Sequence, residues 1–324
     1  MTSAARQIAV EEVPCPACDG TQAVAIASGP DYDCHCCGDQ VFRLVQCRAC
    51  GTYYLNPRPT VEMLPVIYAR EDYYSYSFEE EGNPVVLRAR ARRDRGKVRQ
   101  VLATQRRAVR DLRVLDVGAG DGSLLRAFGA AGVPAAHLTG LELDPQAVEA
   151  LERRGMRGVL GRAEDATFDA GSVDVCTLIQ VIEHVAAPRD VLRRMFGALA
   201  PGGACLLETP NMDGWDRRFF AGGDWGGYHF PRHWTLFDPH SLSRLLHDIG
   251  FEVVHVSTPA AAVVWAWSLN HVAQRRGWPP AVQRFFSMDN PLALGACLAL
   301  ELLPSALGRS SNMRIIAIKP GSGA

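Results

Sequence analysis

Two cysteine pairs with the same two-residue gap, Cys15 and Cys18 in CPAC and Cys47 and Cys50 in CRAC, are the side chains best placed in this sequence to hold a metal ion. Such a gap lets both thiolates of a tight turn close on one ion. Two knuckles then supply all four ligands of a tetrahedral zinc site and leave no open position for catalysis. The spacing predicts structural zinc at Cys15, Cys18, Cys47 and Cys50, because a redox pair has no need of a duplicate. Seven of the ten cysteines fall between Cys15 and Cys50, and in a reducing compartment such clustering points to metal before disulfide. Between the knuckles, DYDCHCCGD carries Cys34, His35, Cys36 and Cys37. These crowd too closely for one tetrahedron. Their role is open between replacing a knuckle cysteine, forming part of a second site and remaining free thiols.

A different chemistry is written in VLDVGAGDGSL, Val114 to Leu124, where apolar residues run into Asp116 and then Gly118, Gly120 and Gly122 alternate. A strand ending in a turn that only small residues can make presents backbone N–H groups to a ligand, with a helix N-terminus behind it. About twenty residues on, LTGLELDP places Glu142 at a strand tip, where a carboxylate accepts hydrogen bonds from ribose hydroxyls. Nicotinamide enzymes use GxGxxG, whose third glycine lets helix and strand pack closely. Here the spacing is GxGxG, and Ser123 to Arg126 contain no matching glycine.

The DxGxGxG arrangement resembles the class I S-adenosylmethionine-dependent methyltransferases, enzymes with an α/β, Rossmann-like sheet. The resemblance implies that Asp116, Gly118, Gly120 and Gly122 surround the methionine part of S-adenosylmethionine. It implies that Glu142 holds the ribose, that Leu143 also contacts the cofactor, and that Ala163 and Glu164 recognise the adenine. Gln180 then falls near the cofactor. Glu183 and His184 resemble the family's EH pair, with His184 open between acting as a base and merely lining the cleft. Pro201, Gly202 and Gly203, then Thr209 to Asn211, complete the pattern from Val114 onward. The N-terminus resembles a bacterial group of these enzymes that begins with paired CxxC knuckles followed by a stretch much like LVQCRACGTYYLNPRP, Leu44 to Pro59. In that group the next aromatic residues fold over the cofactor, which implies a contact from Tyr73 or Tyr74. The alternative is that these rings pack the metal module against the main domain.

Acceptor chemistry is expected in the long irregular stretch from Asn211 to Leu242, since loops at the carboxyl edge of such a sheet build the site. Trp215, Trp225, Tyr228, Phe230 and Trp234 would supply pocket walls, and His229 and His233 the proton acceptors. The resembled group has a comparable GxHxxxH pattern, here Gly227, His229 and His233. Tying the loop together through backbone hydrogen bonds is the other role open to either histidine. A sulfonium donor is already electrophilic, so the protein has to position the acceptor and, for a hydroxyl, take its proton. The expected activity is methyl transfer to a small molecule, with O-methylation of a sugar or secondary-metabolite intermediate as the specific form. The alternatives are a zinc-containing adaptor that binds RNA or protein through a cofactor-sensing domain, and a nicotinamide-dependent oxidoreductase.

The elements that must carry these residues follow from length and pattern. At 324 residues and 48% hydrophobic composition, the chain can bury one full α/β domain and a smaller module. The expected organisation is a zinc-binding module over 1–60, an aromatic lid and linker helix over 61–110, a cofactor-binding core over 111–258 with the acceptor loop at 211–242, and a helical accessory segment with a final strand over 259–324. The balance of 34 basic and 35 acidic residues carries no nucleic-acid signature. The arginine run from Arg88 to Arg99 reads as a solvated helix, with RNA or an anionic acceptor as its alternative partner. The opening MTSAARQIAVEEVPC lacks a long apolar core, and a cytoplasmic location is expected. Two apolar runs after Val263 fall short of a membrane span. They predict an accessory helical pair over the acceptor site, with a homodimer contact or shallow membrane attachment for a lipid-like substrate as the other readings.

Overall fold

The computed structural model describes residues 7–68, 84–287 and 290–321. Tyr73 and Tyr74 lie outside the described residues. In chain order the strands and helices are β1 (Val10–Glu11), β2 (Ala23–Gly29), β3 (Phe42–Cys47), β4 (Tyr53–Leu55), β5 (Arg58–Pro59), α1 (Leu64–Ile67) and α2 (Pro84–Leu102). There follow β6 (Val114–Val117), α3 (Ser123–Ala130), β7 (Leu138–Glu142), α4 (Pro145–Glu152), β8 (Arg157–Leu160), β9 (Val173–Ile179), α5 (Pro188–Ala198) and β10 (Leu199–Pro210). The chain ends with β11 (Thr235–Leu236), α6 (Pro239–Ile249), β12 (Glu252–Ser257), α7 (Ala262–Arg275), α8 (Pro280–Phe285), α9 (Pro291–Ala306) and β13 (Asn312–Ile318).

The chain divides into two compact units, one of Met1–Tyr73, Thr209–Leu242 and Ser257–Met313, the other of Tyr74–Glu208, Ser243–Val256 and Arg314–Ala324. The second unit carries the mixed α/β, Rossmann-like sheet, in the order β12-β13-β10-β9-β6-β7-β8. Its strands from β8 to β10 pair in parallel. Parallel strands covered on both faces read as continuous apolar runs, and every residue of VLDV in β6 is buried. The chain steps outward from β6 to β8 and then returns to β9 beside β6. This reversal marks the place, at the carboxyl ends of the strands, where such sheets bind ligands. Leu125, Phe128, Leu138 and Leu151 pack the core beneath it, with Val98 and Val101 of α2 against them. Although α2 matches the expected solvated helix along its arginines, it also buries Asp94 and Lys97, which pair at 3.2 Å.

In the first unit, β2, β3, β4 and β11 form an antiparallel sheet in the order β11-β4-β3-β2. Thr235 and Leu236, from the long loop expected to bind the acceptor, pair with Tyr54 and Tyr53 of the cysteine-rich module. The loop's aromatic residues fill an interior: Trp225, Tyr228, Phe230 and Trp234 are all buried. Aromatic rings bury large areas and dominate small cores, which accounts for their density here. Where the sequence predicts a helical pair after Val263, three helices form, α8 being the short addition.

Candidate functional site

At the carboxyl end of β6, the backbone turns through Gly118, Gly120 and Gly122 at φ of +70°, +53° and +76°. Two of these positions exclude a side chain for identifiable reasons. A Cβ on Gly118 would come within 2.5 Å of Val181, and one on Gly122 within 2.6 Å of Leu151. The Cβ position of Gly120, in contrast, faces open space. The turn is therefore shaped by close neighbours at Gly118 and Gly122, while the Gly120 position opens onto free space.

Glu142, at the end of β7, braces this turn. Its carboxylate accepts the N–H of Gly120 at 2.9 Å through Oε2 and that of Leu143 at 2.7 Å through Oε1. Leu143 is half exposed beside it. Asp116 is buried beneath the turn and accepts the Thr177 hydroxyl at 2.5 Å. Burial pushes its carboxyl up to about 7, the Thr177 bond opposes this, and the negative Asp94 and Glu142 reinforce the rise. Ala163 is buried, while Glu164 accepts the N–H of Ala186 at 2.8 Å and pairs with Arg162 at 3.2 Å. Gln180 follows β9 at a φ of +55°, and its N–H donates to the Glu208 carbonyl. His184 is half-buried in the turn after β9. The structure thus gathers Asp116, the three glycines, Glu142 and Leu143 around one turn. A cavity of about 930 Å³ in the same unit, lined by Arg90, Asp94, Asp121, Arg126 and Arg153, includes none of Asp116, Glu142, Ala163 or Gln180.

The four cysteines meet in the first unit. Their Sγ atoms lie within 4.8 Å of one another, with Cys15 to Cys50 and Cys18 to Cys47 each at 3.5 Å. Tetrahedral coordination at 2.3 Å requires sulfurs roughly 3.8 Å apart, so the set can coordinate a zinc-like metal. Knuckle turns fix it: the Asp19 N–H donates to the Cys15 carbonyl at 2.8 Å and the Gly51 N–H to the Cys47 carbonyl at 3.0 Å.

In the segment between the knuckles, Asp31 and Asp33 reach the acceptor loop, and Cys36 Sγ accepts from Arg232 at 3.5 Å. Asp31 is fully buried and forms a bidentate pair with the equally buried Arg232, at 2.9 and 3.3 Å. Desolvation raises the Asp31 carboxyl, but the Arg232 guanidinium more than offsets it and holds the group below its ordinary value. Asp33 accepts His229 Nδ1 at 2.7 Å and His271 Nε2 at 3.0 Å. Burial raises this carboxyl too, yet the facing His271 and His229 keep it well below the usual carboxylate range. His229 itself is buried, stacks on Trp267 at 5.0 Å between ring centres, and sits at a φ of +39°. A non-glycine residue in that region is uncommon. His233 uses Nδ1 on the Gly227 carbonyl at 2.8 Å, the loop-tying role that the sequence left open.

Sequence reasoning missed Asp31, Asp33, Thr177 and His271. One signal was available: Arg232 stands among aromatic residues in HFPRHW, and a buried arginine requires a carboxylate partner. The nearby DYD motif offered two.

The family described as "Methyltransferase domain" matches residues 84–256. An uncharacterized methyltransferase of Mycolicibacterium gilvum is 33% identical over 219 residues, covering 59% of this chain and 79% of that protein. The ubiquinone biosynthesis O-methyltransferase of Bordetella avium is 36% identical over 108 residues, 31% of this chain. The chain spans 44% of the length of that relative. A SAM-dependent methyltransferase structure from Archaeoglobus fulgidus aligns with 71% of this chain and 94% of its own, at 16% identity and a TM-score of 0.46.

Proposed function

Because the chain belongs to the S-adenosylmethionine-dependent methyltransferases, we propose that it methylates a small molecule, at a hydroxyl of a sugar or secondary-metabolite intermediate, with His229 as the proton acceptor. The observation that carries the histidine assignment is the 2.7 Å bond between His229 Nδ1 and Asp33. A carboxylate on Nδ1 fixes that nitrogen as the N–H, so Nε2 is the basic atom. The positive φ of His229 adds to this, since strained backbone persists where the surroundings enforce it and gathers at functional positions. His233 holds its Nδ1 on a neutral backbone carbonyl, where His229 has the Asp33 carboxylate to offset an imidazolium, which makes His233 the weaker candidate. His184 is retained as a cleft-lining residue.

S-adenosylmethionine supplies the electrophilic methyl group when bound. Asp116, Gly118, Gly120, Gly122, Glu142 and Leu143 would hold it, with Ala163, Glu164 and Gln180 completing the contacts; the open space beside Gly120 leaves its backbone accessible to such a ligand. The remaining tasks fall to the chain: orienting the acceptor oxygen for in-line attack and accepting its proton as the C–O bond forms and the sulfonium C–S bond breaks. We also assign zinc to Cys15, Cys18, Cys47 and Cys50, in a structural role. Tyr73 and Tyr74 remain proposed contacts of the cofactor.

A titration of cofactor binding tests this assignment. The cofactor is cationic at sulfur and therefore favours ionised Asp116, whose carboxyl sits at about 7 in the cofactor-free protein. Protonation competes below that value, so affinity is expected to rise from pH 6 to pH 8 by about tenfold and to level off above pH 7. Asp116→Asn should flatten the profile. Glu142→Ala, measured by calorimetry at pH 8, should weaken binding by about tenfold or more, since it removes both the ribose acceptor and the brace on Gly120. An unchanged affinity in Glu142→Ala would remove the cofactor assignment from this turn.

A further inference from the structure

Helix α9 turns the usual arrangement of a surface helix inside out. Its buried stripe is Ala293, Cys297, Glu301 and Pro304, and the one charged residue of the helix is therefore the one facing inward. Glu301 is satisfied there, accepting the Trp265 indole N–H at 2.6 Å together with the Ser310 hydroxyl and the Ser311 N–H. Outward, the helix offers leucine, alanine and glycine. Leu292 is 77% exposed, Leu302 61%, Leu303 62% and Leu307 53%. Contiguous apolar surface of this kind marks a place where water is displaced by something else.

The surroundings specify what displaces it. Trp278 and Phe285, on the segments leading into α9, are also exposed. Arg276 lies over the Trp278 ring at 6.0 Å, and Arg276 and Arg284 are both exposed. Arg275 is paired with Asp224 and is left out of account. From 259 to 308, Glu301 is the only acidic group among the described residues, and it points inward. Asp289, also in this stretch, lies outside the described residues. The segment thus combines a leucine face, exposed aromatic rings suited to a headgroup boundary and two exposed arginines. No helix among the described residues is long and apolar enough to cross a membrane. With 16 residues, α9 would run about 24 Å along a surface.

We propose that the exposed face of α9, with Trp278, Phe285, Arg276 and Arg284 at its rim, docks on an anionic lipid bilayer, the helix lying in the plane of the interface. The leucine side chains enter the acyl boundary and the two guanidinium groups meet lipid phosphates. A second copy of the chain is the competing occupant, which the oligomeric state below separates from a bilayer. The proposal stands independently of the methyl acceptor's identity.

Vesicle sedimentation of the full chain tests it. Binding to vesicles of phosphatidylcholine with phosphatidylglycerol is expected to be at least about tenfold tighter than to phosphatidylcholine alone. The double substitution Leu302→Gln with Leu303→Gln should lower it by about tenfold or more. Both positions are exposed, so the circular dichroism spectrum of the variant should match that of the parent. The pair Arg276→Ala with Arg284→Ala should erase the preference for the anionic lipid. Protein that stays in the supernatant with both vesicles overturns the proposal, as does equal binding by the leucine variant. Light scattering that finds a dimer, converted to monomer by the leucine substitutions, would also overturn it by assigning the face to a second copy.

Discussion

Removing zinc with a strong chelator is expected to lower the first thermal transition by about 10 °C or more, the shift that roughly 3–5 kcal/mol produces. The large effect follows from what the metal replaces. The cysteine module is small, and structural zinc contributes about 10–16 kcal/mol of apparent binding energy in isolated zinc modules. Without the ion, only the knuckle turns and weak thiol contacts hold the four sulfurs together. The consequence extends beyond the knuckles, because Asp31 and Asp33 lie between them in sequence and anchor Arg232 and His229. Turnover should therefore be lost on chelation, with cofactor binding much less affected. Elemental analysis should find one zinc per chain, and Cys47→Ser should lose it. Protein purified from zinc-supplemented cells without the metal, or a transition insensitive to the chelator, would contradict this account.

His229→Gln is expected to reduce kcat by about 10²–10⁴-fold, the range for loss of a positioned general base. Cofactor affinity should stay within about threefold of the parent value, since the base contributes to the chemical step rather than to cofactor binding. Asp33→Asn should also lower kcat, by about tenfold or more, because an amide can present its N–H to Nδ1 and turn the ring to the wrong tautomer. His233→Gln should cost much less, and would chiefly loosen the turn at Gly227. Steady-state kinetics with the identified acceptor separates these cases. A His229→Gln protein that is folded and retains full kcat would remove the histidine from the mechanism.

The glycine turn, Glu142 and the paired knuckles were legible because each is local: a few residues at fixed spacing impose the turn or the ligand set. The final strand expected within 259–324 was legible for a similar reason, as a short apolar run is enough to mark a buried strand. Its place between β10 and β12 was not, since pairing order depends on contacts far apart in the chain. The same distance hid the partners of the acceptor loop. Asp33 and His229 are separated by 196 residues, and Asp31 and Arg232 by 201. In DYDCHCCGD the carboxylates of Asp31 and Asp33 make most of the long-range bonds, and Cys36 adds one by accepting from Arg232 at 3.5 Å. The loop's aromatic density suggests pocket walls, but in the first unit these rings are largely core, because a module with so little apolar chain needs them to fill its interior.

Transfer of a labelled methyl group to a small molecule is the decisive observation for this enzyme. Purified protein is incubated with S-adenosylmethionine carrying a deuterated methyl group and a small-molecule extract of its own cells, and the products are resolved by mass spectrometry. The account predicts a species that gains the labelled methyl with wild-type protein and fails to form with His229→Gln. Tight cofactor binding with no labelled small molecule would contradict it.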